Sequence, residues 1–379
     1  MLLASQARYV PRILGTGSFV PETAFTNERF LELSDIPPMQ QSLRSPEWIE
    51  EKFGIHERHL DLDPVSLVKH PREEGGLFDG DFAVYAAKAA LDDSGITPSA
   101  VDVLVHVTTT PDTTVCSDHV RYLVRGLGLR RDVHMVHHNL GCAGLAAAFE
   151  SAFTYLQVLP LGSTALVIAS QCVSGYATKE RLEYYRDHPT DHGVLLGMVF
   201  GDGAGAIVLG TASGPSHGGL LAMGYETEPA IALMDCPAGG CLAPTSWQNI
   251  PDHFFSMNAK AVAQYFVPLM RRNLEMLDEG WPPSLDVDGN LEARHSQVAR
   301  WYLHQANGPL INRTIKALDL PSELVPMHID RYGNISAAST LILLDEERRA
   351  HLVSEGDLIA FLWVGGGCGT MNGFALAAL

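Results

Sequence analysis

The chain has 379 residues, 46% hydrophobic and 18% charged, with a formal net charge of −18. That length exceeds one ordinary core and points to two domains or two fused halves. The acidic balance excludes nucleic acid and anionic membrane surfaces as favoured partners, because a net negative surface is repelled by both. No apolar stretch reaches the ~20 residues that span a bilayer, and no basic segment followed by an apolar run opens the chain. A cytoplasmic protein with no membrane partner is therefore expected. Six cysteines, at 116, 142, 172, 236, 241 and 368, show no disulfide-scaffold spacing and read as reduced thiols. Cys236 and Cys241 enclose Pro237-Ala238-Gly239-Gly240 with no C-x-x-C and no histidine at ligand spacing, so no metal is expected.

In chain order, Ile13 to Val20 is a predicted strand closed by Pro21. Its Gly15-x-Gly17 lacks the third glycine and following helix of a dinucleotide fingerprint. Thr26 reads as the N-cap of a helix carrying Phe30 and Leu31, and Ser45-Pro46 opens another. Residues 61–80 read as loop and 81–94 as an Ala-rich helix. The strand over 101–109 is nearly continuous in apolar residues, as in a sheet covered on both faces. A helical stretch over 113–127 leads to the central segment, Val133 to Glu150. There a short strand meets a Gly/Ala cluster with Cys142 at the junction and an Ala-rich helix behind it. Unpaired N–H groups and the positive end of the helix dipole favour a thiolate at that point. Residues 164–170 form another buried strand. Residues 177–197, polar and aromatic without a clean period, read as an insertion or flap. Gly201 to Gly205 turns into a strand; it lacks the ending and the helix of a phosphate loop, so its glycines point to backbone crowding.

The order then repeats. A helix covers about 257–278. The strand 298–303 ends in His304-Gln305-Ala306-Asn307, and a helix runs on to Leu318. A strand around 325–330 enters the small-residue run Gly333 to Ser339, and a closing strand over 358–364 precedes Gly365-Gly366-Gly367. Cys142 and Asn334 stand at equivalent turns, 334 − 142 = 192 positions apart, and the strands centred on Leu166 and Ile359 lie 359 − 166 = 193 apart. A long-period repeat of this kind predicts an α/β fold of two duplicated halves. Residues 1–210 would carry Cys142 and the flap, and residues 211–379 would carry His304 and Asn334.

Equivalent strand-to-helix turns of two such halves face each other across their junction, which brings Cys142, His304 and Asn334 to one cleft. A thiolate can attack an acyl thioester and retain the acyl group. Two N–H donors aimed at one point stabilise an enolate, each contributing about 3 kcal/mol. Loss of carbon dioxide from a malonyl group generates that enolate without a strong base. Singly, each residue has a plainer reading: a buried thiol, a satisfied histidine, a turn asparagine. Jointly, at three matched turns, they favour chemistry.

Several motifs, taken together, resemble one family. They are Glu47-Trp48-Ile49, Gly54-Ile55-His56-Glu57-Arg58-His59, Gly141-Cys142-Ala143-Gly144 and Phe200-Gly201-Asp202-Gly203-Ala204-Gly205-Ala206. His304-Gln305-Ala306-Asn307, Gly333-Asn334-Ile335-Ser336-Ala337-Ala338-Ser339 and Gly365-Gly366-Gly367 complete the set. Over nearly its whole length the chain resembles the β-ketoacyl-ACP synthase III branch of the thiolase superfamily. The resemblance implies a five-layered αβαβα thiolase fold and a homodimer, with Cys142 as the acylated nucleophile. It implies His304 and Asn334 as donors for decarboxylation and condensation, and the N–H groups of Cys142 and Gly366 as the hole for the thioester oxygen. Trp48 would stack on the adenine of coenzyme A, with Lys52 and Asn307 also on the substrate path. Coenzyme A thioesters are implied as substrates, with no separate cofactor.

The sequence departs from the family at several points. Lys52 stands where an arginine is usual. Gly308-Pro309 replaces the basic residue that helps to dock the acyl carrier protein; Arg271, Arg272, Arg313 and Lys316 are the candidates for a substitute patch. Val115-Cys116 replaces the aromatic that lines the acyl pocket across the dimer, which would open that pocket. No glutamate of the kind found in relatives that join two long acyl chains occurs between Thr108 and Arg121. The departures point to specialised polyketide or fatty-acid-derived biosynthesis. Alternatives are acyl transfer without decarboxylation through the same acyl-cysteine, condensation of two acyl thioesters, and a Cys-His-Asn hydrolase.

Overall fold

The computed structural model describes residues 1–34, 45–113, 116–187, 197–212, 218–235, 256–286, 289–367 and 369–379. Its strands are β1 (Leu2–Leu3), β2 (Val10–Phe19), β3 (Ala24–Thr26), β4 (Glu57–His59), β5 (Val101–Val107), β6 (His134–His138) and β7 (Thr164–Gln171). They continue with β8 (Gly203–Ala212), β9 (Gly219–Glu228), β10 (Met234–Asp235), β11 (Ser256–Met257), β12 (Val298–Leu303), β13 (Leu358–Gly367) and β14 (Gly369–Ala378). The α-helices are α1 (Asn27–Ser34), α2 (Pro46–Phe53), α3 (Asp79–Ser94), α4 (Cys116–Leu127), α5 (Gly144–Val158) and α6 (Lys179–Asp187). They continue with α7 (Ala259–Glu279), α8 (Leu291–His295), α9 (Gly308–Leu318), α10 (Ile329–Tyr332) and α11 (Ser339–Arg349). The expected caps are present. Thr26 Oγ1 accepts from Arg29 N–H at 3.2 Å, and Ser45 Oγ from Trp48 N–H at 3.1 Å.

Two mixed sheets carry the fold, in the orders β2-β8-β7-β5-β6 and β1-β9-β14-β13-β12. In the first, β2–β8 and β8–β7 pair antiparallel, and β7–β5 and β5–β6 pair parallel. In the second, β9–β14 and β14–β13 pair antiparallel and β13–β12 parallel. Four strands of each sheet, β2-β8-β7-β5 and β9-β14-β13-β12, thus share one order of directions, as a duplication requires, while the fifth strands, β6 and the antiparallel β1, sit at opposite edges.

Alternation along the strands sorts the core into layers. Leu104, Leu166 and Ile168 face α3 and α4. Their neighbours Val103, Val105, Ala165 and Val167 join Leu145 and Phe149 of α5, Leu341 and Leu344 of α11, and Phe361 and Trp363 of β13 in one central cluster. On the far side, Trp301, Leu303 and Leu362 pack with Phe266 and Met270 of α7 and Ile311 of α9. Helices, sheet, helices, sheet, helices: the five-layered αβαβα expectation is met. The glycines before β8 are there for crowding, as read. A Cβ on Gly205 would stand 2.5 Å from Leu341 Cβ.

Two readings need correction. No strand forms at 325–330. Pro326 offers no N–H to a ladder, and His328 N–H goes instead to Gln305 Oε1 at 3.1 Å, so the short helix α10 leads to Asn334. The second sheet also contains β9 and β14, which sequence reading missed. β14 is central, rich in Ala and Gly, and buried on both faces, so it lacks alternation and has Thr370 as its one β-branched residue. The polar stretch 177–197, read as an insertion or flap, contains α6, and its residues 188–196 lie outside the described set.

Candidate active site

Cys142 sits between the end of β6 and the start of α5, 5% exposed. The end of β13 presses against it. Gly141 N–H donates to Gly366 O at 3.1 Å, and any Cβ on Gly365 would collide with the Cys142 Cβ. Only glycine lets that strand approach so closely. Ser336 Oγ–H donates to Cys142 Sγ at 3.4 Å. Burial pushes the Cys142 thiol above its ordinary value, and the Ser336 hydroxyl pulls the other way. Desolvation of a buried anion thus opposes the helix-dipole effect expected to favour a thiolate here, and one hydroxyl donor offsets it in part.

Asn334 follows α10 and is 5% exposed. Its N–H donates to Val199 O at 2.9 Å, and its own carbonyl accepts from Gly201 N–H at 3.2 Å and from Gln171 Nε2 at 2.9 Å. Its side-chain Oδ1 accepts from Ser336 N–H at 2.8 Å, which fixes the carboxamide plane and leaves its NH2 as the remaining donor. Ser336 thereby holds both the sulfur and the carboxamide, from a backbone with φ of 50°. The segment that receives Asn334 is anchored from below. Arg58, fully buried, donates to Met198 O at 2.8 Å and to Phe25 O at 2.9 Å, and also to Asn27 Oδ1.

His304 leaves the end of β12, and its N–H donates to Leu362 O of β13 at 2.9 Å, three residues before Gly365. The same strand therefore touches both His304 and Cys142. Burial first, then nearby His328, holds the His304 imidazole down to about 3, so the ring is neutral at pH 7. Its Nδ1 is buried without a hydrogen-bond partner among the described residues. An orphaned lone pair costs less than an orphaned N–H, which favours the tautomer with the proton on Nε2. A Cys-His-Asn hydrolase would need the asparagine oxygen on the imidazole. Here that oxygen is on Ser336 and the imidazole Nδ1 is bare, which is the opposite of that arrangement.

The other expected residues divide. Gly366 adjoins Cys142 through the Gly141 contact. Half-buried Trp48 meets Phe53 edge-on at 5.6 Å, and exposed Lys52 pairs with Glu51 at 3.0 Å. The end of α2 reaches the start of α9 through Gly54 and Gly308. Asn307 uses its Oδ1 to cap α9, accepting from Leu310 N–H at 2.9 Å. Val115 and the Cys116 side chain lie outside the described residues, as do Cys236, Cys241 and Cys368. The substitute basic patch is weaker than its composition suggests. Arg272 faces Glu226, Glu275 and Glu279 at 2.8, 3.5 and 3.1 Å, and Arg271 donates to Ala317 O. Arg313 and Lys316 are exposed. Ser336, Gln171 and Arg58 were not assigned roles from sequence; only their places inside or beside the motifs could have drawn attention to them.

Known proteins agree with this architecture. The beta-ketoacyl-[acyl-carrier-protein] synthase III of Bordetella petrii is 29% identical over 360 residues, 94% of this chain and 94% of its own length. The family described as 3-oxoacyl-[acyl-carrier-protein (ACP)] synthase III C terminal matches residues 290–376, the segment with His304, Asn334 and Gly366. This chain is a synthase III-like enzyme of the thiolase superfamily. Synthase III-like enzymes share its fold among solved structures. The 3-oxoacyl-(acyl carrier protein) synthase III of Pseudomonas aeruginosa PAO1 superposes with a TM-score of 0.73 at 24% identity, covering 97% of this chain and 98% of that one. OleA of Xanthomonas campestris, solved with lauric acid and lauroyl-CoA, superposes with a TM-score of 0.75 at 17% identity, covering 98% and 99%. As a synthase III-like protein, the chain is an acyltransferase-type condensing enzyme. Among its described residues no helix is long and apolar enough to cross a membrane.

Proposed function

We propose that this synthase III-like enzyme works through Cys142, His304 and Asn334. Cys142 Sγ attacks the carbonyl of an acyl-CoA, the carbon–sulfur bond to coenzyme A breaks, and the free thiol of coenzyme A leaves with the proton. The N–H groups of Cys142 and Gly366 hold the thioester oxygen during this step. A malonyl-type thioester then loses carbon dioxide. Its enolate oxygen is held by His304 Nε2–H and the Asn334 carboxamide, and its carbon attacks the acyl-cysteine to release a 3-oxoacyl thioester and regenerate Cys142. A neutral imidazole suits this role, since it must donate a hydrogen bond without protonating the carbanion.

The observation that supports this most is the double contact of Ser336, which ties the thiol and the carboxamide into one rigid unit. Coenzyme A would enter past Trp48 and Lys52, with Asn307 shaping the path by capping α9. Val115 and Cys116 would line the acyl pocket. Two chains would form a homodimer, and an acyl carrier protein would use Arg313 and Lys316 if it docks here. The departures from the family support a specialised acyl group rather than a housekeeping initiator. An acyl-CoA panel with malonyl-CoA and malonyl carrier protein as acceptors tests this. Strict preference for acetyl-CoA with malonyl carrier protein would refute the specialised reading, and loading that survives Cys142→Ala would refute the site.

A further inference from the structure

Apart from Cys142, three imidazoles converge. His106 in β5, His119 in α4 and His137 in β6 each offer a ligand nitrogen, and these atoms lie within 4.8 Å of one another. His106 Nδ1 stands 3.2 Å from His137 Nδ1 and 3.3 Å from His119 Nε2. A tetrahedral metal with bonds of about 2.0–2.1 Å to nitrogen separates neighbouring ligand atoms by roughly 3.3 Å. Two edges of such a shell already have their length.

The surrounding groups turn a lone pair inward. Ser170 Oγ–H donates to Asp79 Oδ2 at 2.8 Å, so at 2.7 Å it accepts from His106 Nε2–H. That tautomer leaves His106 Nδ1 as an acceptor, and the facing nitrogens of both other rings converge on this one lone pair. Asp79 is fully buried, also accepts from Thr108 and Thr110 at 2.9 and 3.1 Å, and stands 3.5 Å from His119 Nε2. Asp112 N–H donates to His119 Nδ1 at 3.3 Å, which puts the His119 proton on Nε2 while the site is empty, and the Asp112 carboxylate stands 3.7 Å from the same Nδ1. Asp112 beside His119 Nδ1, and Asp79 acting through Ser170 on His106 Nε2, stand on the far nitrogens, where outer-shell carboxylates of metal sites fix ring orientation and tautomer. His106 and His119 are each 1% exposed, so the cluster is held by packing.

We propose that His106 Nδ1, His119 Nε2 and His137 Nδ1 form a structural site for a divalent transition metal of zinc-like chemistry. Imidazole ligands suit that class. Binding needs no net loss of protons from neutral rings: His119 moves its proton from Nε2 to Nδ1, where the Asp112 carboxylate at 3.7 Å replaces the Asp112 N–H as its partner, and His137 moves its own from Nδ1 to Nε2. The metal would pin α4 to β5 and β6. Because α4 starts at Cys116, the pinned helix borders the stretch expected to line the acyl pocket. The expectation of no metal came from cysteine spacing. These histidines escaped it because His119 and His137 lie 13 and 31 positions from His106, on three separate elements.

The test uses the full chain, stripped with chelator and then titrated with Zn2+ by calorimetry, with Co2+ as a spectroscopic probe of nitrogen ligation. One bound equivalent per chain, a higher Tm with Zn2+ and a visible band with Co2+ are expected. His119→Gln and His137→Gln should each weaken binding at least about tenfold. His137 is half-buried on a strand edge, so its variant should fold, which far-UV circular dichroism checks. No binding by the wild type, or the same equivalent at the same affinity in folded His137→Gln, would overturn the proposal. Acyl loading of Cys142 is a separate readout and does not bear on either result.

Discussion

Ser336 donates its hydroxyl to the Cys142 sulfur at 3.4 Å from a left-handed backbone, with φ of 50°. Serine is a strained choice for that conformation, and glycine would adopt it freely. Ser336→Gly should therefore fold at least as stably as the wild type, with a gain of up to about 1 kcal/mol from relief of strain. It should also acylate more slowly, by roughly tenfold, since a hydrogen bond to the developing thiolate contributes about 1.5 kcal/mol. Urea unfolding and single-turnover acylation check the two halves separately. A variant both stable and unimpaired would show that the hydroxyl has no part in loading.

The Cys142 thiol lies above its ordinary value because burial dominates. Its alkylation by iodoacetamide should keep rising beyond the pH at which an exposed cysteine reaches its plateau. In Ser336→Gly the inflection should move further upward, because the one side-chain donor that lowers it is gone. A plateau below pH 8 in the wild type would contradict this ordering of burial over hydrogen bonding.

Burial and His328 hold His304 down to about 3, and burial also lowers His328, against an ordinary value of 6.5. A depressed histidine leaves stability intact above 6.5. As pH falls below that value the unfolded chain binds protons that the native one refuses, so stability is lost progressively down toward about 3. Each such histidine contributes a slope of at most about 1.4 kcal/mol per pH unit. Urea unfolding between pH 7 and pH 4.5 should show the decline, and His304→Gln should show a shallower one. Equal slopes would place the acid sensitivity elsewhere.

Arg58 is fully buried and, though burial lowers it to about 9, remains charged at pH 7. Removing it in Arg58→Leu leaves the carbonyls of Phe25 and Met198 and the Asn27 oxygen without their donor. The cost should be about 3–5 kcal/mol, seen in chemical unfolding. Because Met198 precedes the Val199 carbonyl that holds Asn334 N–H, decarboxylation should fall more than loading. Equal losses in both steps would make Arg58 a stabiliser only.

Much of this was legible in the sequence. The repeat spacing pointed to the duplicated layers, and a Cys, a His and an Asn at matched turns pointed to the candidate site. What escaped notice depends on conformation rather than composition. The bridging role of Ser336 requires a positive φ that serine does not advertise. β14 is a buried Ala/Gly strand without period, and Pro326 diverts its segment's hydrogen bonds to Gln305. Arg272 reads as a cation for a partner until three glutamates from two elements surround it.

The central claim, that Cys142 holds the acyl group while His304 and Asn334 drive its discharge, is tested most directly by intact-mass analysis of the acylated enzyme before and after a malonyl thioester is added. The wild type should gain one acyl group from acyl-CoA, then return to its unmodified mass with release of carbon dioxide. Cys142→Ala should never load, and Asn334→Ala should load yet stay acylated, with discharge slowed roughly 100-fold or more. Discharge of Asn334→Ala at the wild-type rate, or acylation of Cys142→Ala, would contradict the account.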